Sequence, residues 1–393
     1  MRRETHRGAP PPIPQNGIDI ACGTAYDVGP QGIPTVREKL LFDHRRVFGT
    51  FEAVDFVDAG EIAALRDRID VDVPLDLHWT WEYASEIEEL RNLYERGKRA
   101  QWNAETDIDW AVPFPHDEWF VPREGVLLLP SVLTAMGADE ATCRRAAFDE
   151  FAHLLSQLLH GEQAAMQLCG QLTNACPTMD AKFYAGSQVI DEVRHVEVLS
   201  KFLQRKMGVL HPIDPTLKVL LDMLLEAPTW KLKTLGMQTL FEGVAVGIFD
   251  AIAKVTTHPL LRDIIRRVQI DESRHAAFGV LSMRQVVKEA SPDEMAEMED
   301  FAFSVLEALN ANQQLDMLRV LGSKYGLDAE SVVQATLSMP NWPALNSELF
   351  MHTVIPNLVR LGLITDRTES EYRRLGMMYG DRFEPRYELP VLS

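Results

Sequence analysis

Residues 191–195 read DEVRH and residues 271–275 read DESRH, and this repeated pentapeptide decides the fold. Each copy follows a glutamate that lies in an apolar stretch, Glu162 in LLHGEQAAM and Glu242 in TLFEGVAVGIF. In both cases the glutamate of the pentapeptide comes 30 residues after that earlier glutamate. The chain therefore contains one unit twice: a helix that carries a glutamate, then a helix that carries the pentapeptide.

A glutamate and a histidine three positions apart share one face of a helix, so each pentapeptide can hold one metal ion. A four-helix bundle that joins the two units turns four glutamates and two histidines inward, which is the ligand set of di-iron and di-manganese carboxylate bundles. Bridging carboxylates, with one neutral imidazole for each metal, favour iron or manganese over zinc. The predicted metal ligands are Glu162, Glu192, His195, Glu242, Glu272 and His275.

The alternative to a metal site is a structural ion-pair network. A single Glu-x-x-His on a helix is common and most often marks a solvated face. Two copies, equally spaced from glutamates in apolar surroundings, are hard to explain in that way. An unpaired carboxylate buried beside Leu158 and Leu159, or beside Leu240 and Phe241, would cost several kcal/mol, and a pair of metal ions removes that cost.

The pentapeptide also contains an aspartate and an arginine. A metal-bound histidine needs its second ring nitrogen fixed by a carboxylate or a carbonyl. We predict that Asp191 and Asp271 do this, each for the histidine of the opposite unit, and that Arg194 and Arg274 pair with these aspartates. Surface salt bridges are the alternative, and the repetition of the pattern favours the role beside the metals.

The composition, 46% hydrophobic and 25% charged, is that of a globular protein. A formal net charge of −19 argues against nucleic acid or an anionic membrane surface as a partner. No CxxC pair occurs among the four cysteines, which are Cys22, Cys143, Cys169 and Cys176. This favours a reducing compartment. The N-terminal residues lack the apolar core of a secretory signal, and the longest apolar stretch, Val126–Met136, is too short to cross a bilayer. We expect a cytoplasmic protein.

Helical periodicity, without any alternating strand pattern of useful length, predicts an all-α protein. We expect a largely irregular extension over 1–75, a di-metal helical bundle over 76–315, and a C-terminal helical segment over 316–393 packed on the bundle. The final bundle helix has a capping box at its start, with Ser291 as N-cap and Glu294 three residues later. The predicted helices are Thr80–Trp102, Ala141–Asn174, Thr178–Lys206, Thr216–Leu225, Thr229–Val255, Pro259–Ala290 and Pro292–Asn312.

Over residues 141–285 the sequence resembles the ferritin-like superfamily of non-haem di-iron carboxylate oxygenases and oxidases, because of its two Glu…DExRH units. It looks most like bacterial multicomponent monooxygenase hydroxylase subunits. It is similar, more loosely, to ribonucleotide reductase small subunits and arylamine N-oxygenases. The resemblance implies a ferritin-like four-helix bundle core with additional N- and C-terminal helices. It also implies the six ligands named above and activation of dioxygen at two reduced iron ions, with Mn/Fe as a further possibility.

Three positions depart from those relatives. Leu199 stands where radical-bearing reductase subunits have a tyrosine, which argues against a tyrosyl radical. Val246 stands where hydroxylase subunits often have a threonine, so their proton-relay geometry is in doubt. Val268 stands where arylamine N-oxygenases add a third histidine. The subfamily is therefore left open.

Positions one helical turn from the ligands predict a small and mostly apolar substrate pocket. An apolar stripe inside a bundle is otherwise plain core, and that alternative is equally strong here. The predicted pocket residues are Ala165, Met166, Cys169, Gln188, Leu199, Gln238, Ala245, Val246 and Phe249.

The leading functional hypothesis is an oxidoreductase that hydroxylates, N-oxygenates or desaturates a small, largely apolar organic substrate with dioxygen. The sequence has no strand–GxGxxG–helix unit and no CxxC cluster, so we expect a separate electron donor, a ferredoxin or a reductase. A homodimer is a possible assembly. A ferritin-like ferroxidase, peroxide-detoxifying or metal-storage protein is the first alternative, although the chain is more than twice what four ~25-residue helices need. A scaffold subunit with a structural metal site is the second.

Overall fold

The structure, a computed structural model, describes residue 73 and residues 77–123, 127–310, 313–328 and 349–378. These residues are mostly helical and include no β-strand, so the prediction of an all-α protein is confirmed for them. The N-terminal extension expected over 1–75 lies almost wholly outside this part of the chain. The helices are α1 (Glu88–Arg99), α2 (Leu128–Ala135), α3 (Glu140–Ala175), α4 (Met179–Phe202), α5 (Pro215–Glu226), α6 (Trp230–Val255), α7 (Pro259–Glu289), α8 (Pro292–Asn310), α9 (Gln313–Lys324), α10 (Ile355–Leu361) and α11 (Glu369–Arg374).

Four long helices, α3, α4, α6 and α7, form the core of the bundle. Helix α3 packs along α4, and α6 packs along α7, so each glutamate-bearing helix lies against the helix that carries its pentapeptide. Contacts between α4 and α7 join the two pairs. The predicted repeat of two helical units is thus the arrangement that the structure shows.

The ends of these helices follow local signals in the sequence. Asp139 caps α3 by accepting a hydrogen bond from the backbone N–H of Thr142 at 2.7 Å. The capping box before α8 is confirmed, because the Ser291 N–H donates to Glu294 Oε2 at 2.9 Å and the Glu294 N–H donates to Ser291 Oγ at 3.3 Å. Side chains that replace the missing backbone partners of a first helical turn fix where the helix begins.

The predicted helix Thr80–Trp102 is wrong over its first eight residues, because α1 begins at Glu88. Asp180, in the first turn of α4, accepts hydrogen bonds from the backbone N–H groups of Glu86 and Ile87, both at 2.8 Å. It also accepts one from Arg91 Nε at 2.7 Å. A carboxylate distant in sequence therefore caps α1, and no local pattern could have shown this.

Helix α6 changes its winding just before its metal-ligand residue. Thr234–Phe241 is π-helical, whereas Glu242–Val255 is α-helical. Gly279 of α7 faces this segment so closely that a Cβ atom there would lie 2.5 Å from the carbonyl carbon and oxygen of Gln238. A π-helical insertion of this kind is frequent at functional sites, where it re-aims the side chains that follow it.

Among the described residues, one helix, α6, is long and apolar enough to span a membrane by length and composition. Two-thirds of its most apolar window (67%) is buried inside the protein. The helix also carries Glu242 in the middle of the bundle, and its partner α7 runs alongside it. Its apolar character is that of a core helix packed on several sides.

The close contact between α6 and α7 gives a stability test. Gly279→Ala places a methyl group against backbone atoms that cannot rotate away, so we expect a loss of roughly 1–3 kcal/mol in the free energy of unfolding. Gly170→Ala on α3 is the matched control, because nothing lies within 4 Å of the added methyl. That variant should gain roughly 0.5–1 kcal/mol from reduced chain entropy. Urea denaturation measures both, and equal stability of the two variants would contradict the close approach.

Candidate metal centre

The six predicted ligands meet at the centre of the bundle. Their ligand atoms form two groups, and within each group all atoms lie within 4.8 Å of one another. Every one of the six side chains is buried, and the most accessible of them, Glu162, is 6% exposed. The groups are Glu162, Glu192, His195 and Glu272, and Glu192, Glu242, Glu272 and His275.

Two glutamates, Glu192 and Glu272, belong to both groups. They are therefore positioned to bridge two ions, while Glu162 and Glu242 each belong to one group. The sequence assigned each pentapeptide to a single ion, and the structure refines this assignment. A glutamate that bridges two ions and a histidine that holds one of them come from the same turn of helix in each unit.

The two histidines present the same ring nitrogen to the carboxylates. His195 Nδ1 lies 3.1 Å from Glu162 Oε2 and 2.9 Å from Glu272 Oε1. His275 Nδ1 lies 3.1 Å from Glu192 Oε1 and 4.0 Å from Glu242 Oε2. Each Nδ1 atom thus faces carboxylate oxygens that come from several different helices, as a metal-binding nitrogen must.

The other ring nitrogen of each histidine contacts the aspartate of the opposite unit, as predicted. His195 Nε2 lies 3.2 Å from Asp271 Oδ2, and His275 Nε2 lies 3.3 Å from Asp191 Oδ2. Burial would raise the pKa of Asp271, but the hydrogen bond with His195 and the charge of that histidine hold it below its usual range. An ionised aspartate in this position fixes the orientation of the imidazole and increases its basicity.

The arginines of the pentapeptides close a network around these aspartates. Arg194 Nη2 donates to Asp191 at 2.6 Å and to Asp271 at 3.1 Å. Arg274 Nη2 donates to Asp271, and it lies 3.5 Å from Asp191 Oδ2. Both arginine side chains are buried. The structure thus pairs each arginine with these aspartates, and the salt bridges are buried and not on the surface.

Two residues that follow α1 complete the network, and neither was predicted from the sequence. Gln101 Nε2 donates to Asp191 Oδ1 at 2.9 Å, and Trp102 Nε1 donates to Asp271 Oδ2 at 2.8 Å. The guanidinium of Arg194 lies 5.2 Å from the centre of the Trp102 ring. Neither residue belongs to a repeated motif, so only the docking of α1 on α4 and α7 brings them here.

The donor set fits a pair of divalent cations. Four buried carboxylates carry four negative charges, which two such cations balance while both imidazoles stay neutral. One carboxylate oxygen, Glu272 Oε1, is buried and accepts no hydrogen bond, although His195 Nδ1 lies 2.9 Å away. A cation between these atoms would satisfy both of them, since each offers a lone pair.

In the absence of metal the cluster holds protons instead. Burial raises the pKa of Glu162 well above its usual range, and the charge of Glu272 adds to the effect. Burial also raises the pKa of Glu242, together with the charges of Glu272 and Glu192. Carboxylates in apolar surroundings and close to each other cannot all stay ionised without cations.

The histidines gain protons for the complementary reason. Burial lowers the pKa of His195, but the charge of Glu162 outweighs it and brings the pKa well above its usual range. Burial opposes the charges of Glu192 and Glu272 in the same way at His275, where the pKa rises to about 10. Metal binding must therefore displace protons from the imidazoles as well as from the glutamates.

A cavity of about 150 Å³ borders the metal centre, and Glu162 and Glu242 form part of its wall. The rest of the wall is mostly apolar. It comes from α3, α5, α6, the end of α8 and the helical residues 349–353. Examples are Leu158, Phe241 and Ile248. No lysine, arginine or histidine is among the described residues of the wall.

Of the nine residues predicted to line a substrate pocket, only Ala165 and Ala245 border this cavity. Leu199 and Phe249 are buried in the apolar cluster that also contains Ala245, but they do not line the cavity. The prediction took positions around the ligands on every side, whereas the cavity opens on one side of α3 and α6. The predicted residues that lie elsewhere are Met166, Cys169, Gln188, Leu199, Gln238, Val246 and Phe249.

The two predicted pocket glutamines have other contacts. Gln188 Nε2 donates to Glu192 Oε1 at 2.8 Å and to Glu242 Oε1 at 3.0 Å, so it joins ligands of the two units. Gln238 Nε2 donates to Cys169 Sγ at 3.3 Å. Gln188 therefore holds the ligand cluster from within the bundle, whereas Gln238 joins α6 to α3.

No protein-family model and no curated protein matches the sequence. Among solved structures, the chain is similar to R2-like ligand-binding oxidases. A point mutant with an anaerobically reconstituted Mn/Fe cofactor has a TM-score of 0.43 and 15% identity, and the match covers 70% of this chain and 93% of that chain. A second mutant, with an aerobically reconstituted Mn/Fe cofactor, has the same TM-score and identity over 72% and 95%.

Substitution of the aspartates tests whether they raise the metal affinity through the histidines without binding the metal ions themselves. We expect Asp191→Asn and Asp271→Asn to retain two metal ions per chain but to lower metal affinity roughly 10–100-fold, because the imidazoles lose their anionic partners. Competition with a chelator of known affinity measures this. Asp263→Asn on α7 is the control, since the Asp263 side chain is 46% exposed and, within the described part of the chain, pairs with Arg267 on the same helix. Unchanged affinity in both test variants would show that the aspartates do not act through the histidines.

The raised pKa values give a second test. Because the raised pKa values leave protons on the metal-free cluster at neutral pH, metal binding should release them, and affinity should rise with pH between about 6 and 8. Each released proton contributes roughly a tenfold gain per pH unit. Calorimetry in two buffers of different ionisation enthalpy counts the protons. Binding without proton release would contradict the protonated state of the cluster.

Proposed function

We propose that this protein is a non-haem oxidoreductase that uses dioxygen, at a di-iron or Mn/Fe centre, to oxidise a small and largely apolar organic molecule. The observation that carries the proposal is the cavity, because its wall includes one carboxylate from each metal group, Glu162 and Glu242. A molecule in this cavity touches the metal centre. A purely structural metal site has no need of such a chamber.

The six ligands would divide between the ions as the two groups indicate. Glu192 and Glu272 would bridge, and each ion would also have one terminal glutamate and one histidine. When bound, a reduced iron or manganese–iron pair supplies the electrons and open coordination positions that dioxygen activation requires. With four protein donors each, both ions would keep open positions for exogenous ligands in octahedral surroundings, which distinguishes a catalytic site from a closed one.

The residues on the two sides of the ligand cluster have different roles. On one side, Asp191 and Asp271 with their arginines fix the imidazoles. On the other side, the apolar cavity keeps water from the place where the substrate sits. Exclusion of water protects a strong oxidant from unproductive reactions, so an apolar chamber next to the terminal glutamates suits oxidation of an organic molecule.

A separate protein, a ferredoxin or a reductase, would supply the electrons, because insertion of oxygen needs electrons in addition to those of the substrate. Hydroxylation, N-oxygenation and desaturation all remain within this proposal, since the same centre serves each of them. The main alternative, oxidation of iron itself, has less support in the cavity. Among the described residues of its wall, no carboxylate besides the two ligands is present to conduct hydrated iron inward.

The cavity provides the test. Ala245→Phe fills it from α6, so we expect metal content to stay at two ions per chain while substrate-dependent oxygen consumption falls roughly 100-fold, the effect of displacing a substrate by an ångström. Val246→Phe is the matched control, because this next residue on the helix does not line the cavity. Elemental analysis and oxygen uptake after anaerobic iron loading measure both quantities. If only ferrous iron is oxidised, and equally well by both variants, the ferroxidase alternative replaces the proposal.

A further inference from the structure

The wall of the cavity contains very few polar groups that are not metal ligands. Apart from Glu162 and Glu242, its described polar side chains are the carboxamides of Gln157 and Asn310. All other described wall residues are apolar or glycine. Because a few polar groups in an apolar pocket fix the orientation of a ligand, these two carboxamides decide which substrates the cavity can hold.

One of these carboxamides is already occupied. Gln157 Nε2 donates to the carbonyl oxygen of Pro212 at 2.9 Å, and Gln157 Oε1 accepts from the backbone N–H of Asp214 at 2.8 Å. Both ends of the amide thus bind the loop between α4 and α5. Gln157 holds that loop in place and has little capacity for a ligand.

The other carboxamide is available. Asn310 is the last residue of α8, it is half-buried, and its side chain has no hydrogen-bond partner in the described part of the chain. Helix α8 holds it in position, since the capping box at Ser291 fixes the start of that helix and Leu306 packs in the core near its end. A carboxamide both donates and accepts, so it matches a hydroxyl, carbonyl or amide group.

We propose that Asn310 is the residue that selects the substrate of this cavity, by a hydrogen bond to one neutral polar group. This inference rests on the proposed function and specifies its substrate class. The substrate is a neutral molecule with an apolar body and a single hydroxyl, carbonyl or amide group. A cavity of about 150 Å³ holds a body the size of benzene, as an engineered cavity of that volume in another protein does.

The wall also disfavours a substrate whose charged group lies at Asn310. With its charge at Asn310 instead of at the metal ions, a carboxylate or phosphate would find no lysine, arginine or histidine among the described wall residues. Burial of an unpaired anion is strongly unfavourable. With its polar group on Asn310, the molecule presents its apolar part to the metal ligands, so the atoms that react are remote from the polar group.

Binding of three compounds of matched size tests this inference. Benzyl alcohol has the neutral polar group, ethylbenzene replaces it with an apolar one, and benzoate replaces it with a charge. Calorimetry on the metal-loaded protein without oxygen measures each dissociation constant. We expect benzyl alcohol to bind more tightly than ethylbenzene, and any benzoate affinity to come from the metal ions and to be unchanged in Asn310→Leu. Asn310→Leu should reduce the preference for benzyl alcohol over ethylbenzene roughly 5- to 10-fold, the value of one hydrogen bond.

Asn174→Leu is the matched control, because Asn174 also lies near the end of a bundle helix but does not line the cavity. It should leave the preference unchanged, and both variants should keep two metal ions. An unchanged preference in Asn310→Leu, a benzoate affinity that depends on Asn310, or no binding of either neutral compound to the original protein would each overturn the inference. These measurements exclude oxygen, so failure of the proposed function appears separately, as metal-loaded protein that binds benzyl alcohol yet consumes no oxygen with any organic compound.

Discussion

Four carboxylates buried within a few ångströms of each other are the constraint on which the rest of this structure depends. Such a cluster is far too costly to bury while ionised and unpaired. Protons relieve the cost in the metal-free protein, as the raised pKa values of Glu162 and Glu242 show. Two divalent cations relieve it completely, because they match the negative charge and occupy the space that the carboxylates enclose. Metal binding would therefore stabilise the folded state, and folding in turn would bring the metal ligands together.

The two sides of the cluster have opposite character, and each has its own supporting elements. Polar groups surround the histidines on the side where α1 docks, with Trp102 and Gln101 completing the contacts of the aspartates. Apolar groups line the cavity on the side where α5, α8 and residues 349–353 cover α3 and α6. The first side fixes the ligands in orientation. The second provides a dry space where a small molecule can approach the terminal glutamates.

The irregular features of the helices lie next to the metal ligands and the cavity. The π-helical Thr234–Phe241 segment directly precedes Glu242, and it brings Gln238 into contact with Cys169 on α3. Gly279 allows the backbone of α7 to approach this segment. Asn310 ends α8 at the cavity wall. An apolar side chain at this position would leave the described wall without a free polar group besides the metal ligands. Each of these features sits on a helix whose own position is fixed by ordinary packing.

The sequence by itself determined the ligands, the helical class and the cross-unit contacts of the aspartates. The reason is that a repeated Glu-x-x-His pattern at helical spacing has one low-energy use inside a bundle. Tertiary structure alone decided which glutamates are shared, because sharing depends on the approach of α4 to α7. It also placed Trp102 beside Asp271, started α1 at Glu88, and put the cavity beside Ala245 rather than Val246. Those outcomes arise from contacts between residues far apart in the chain, and helical periodicity carries no information about which of several apolar faces is left open.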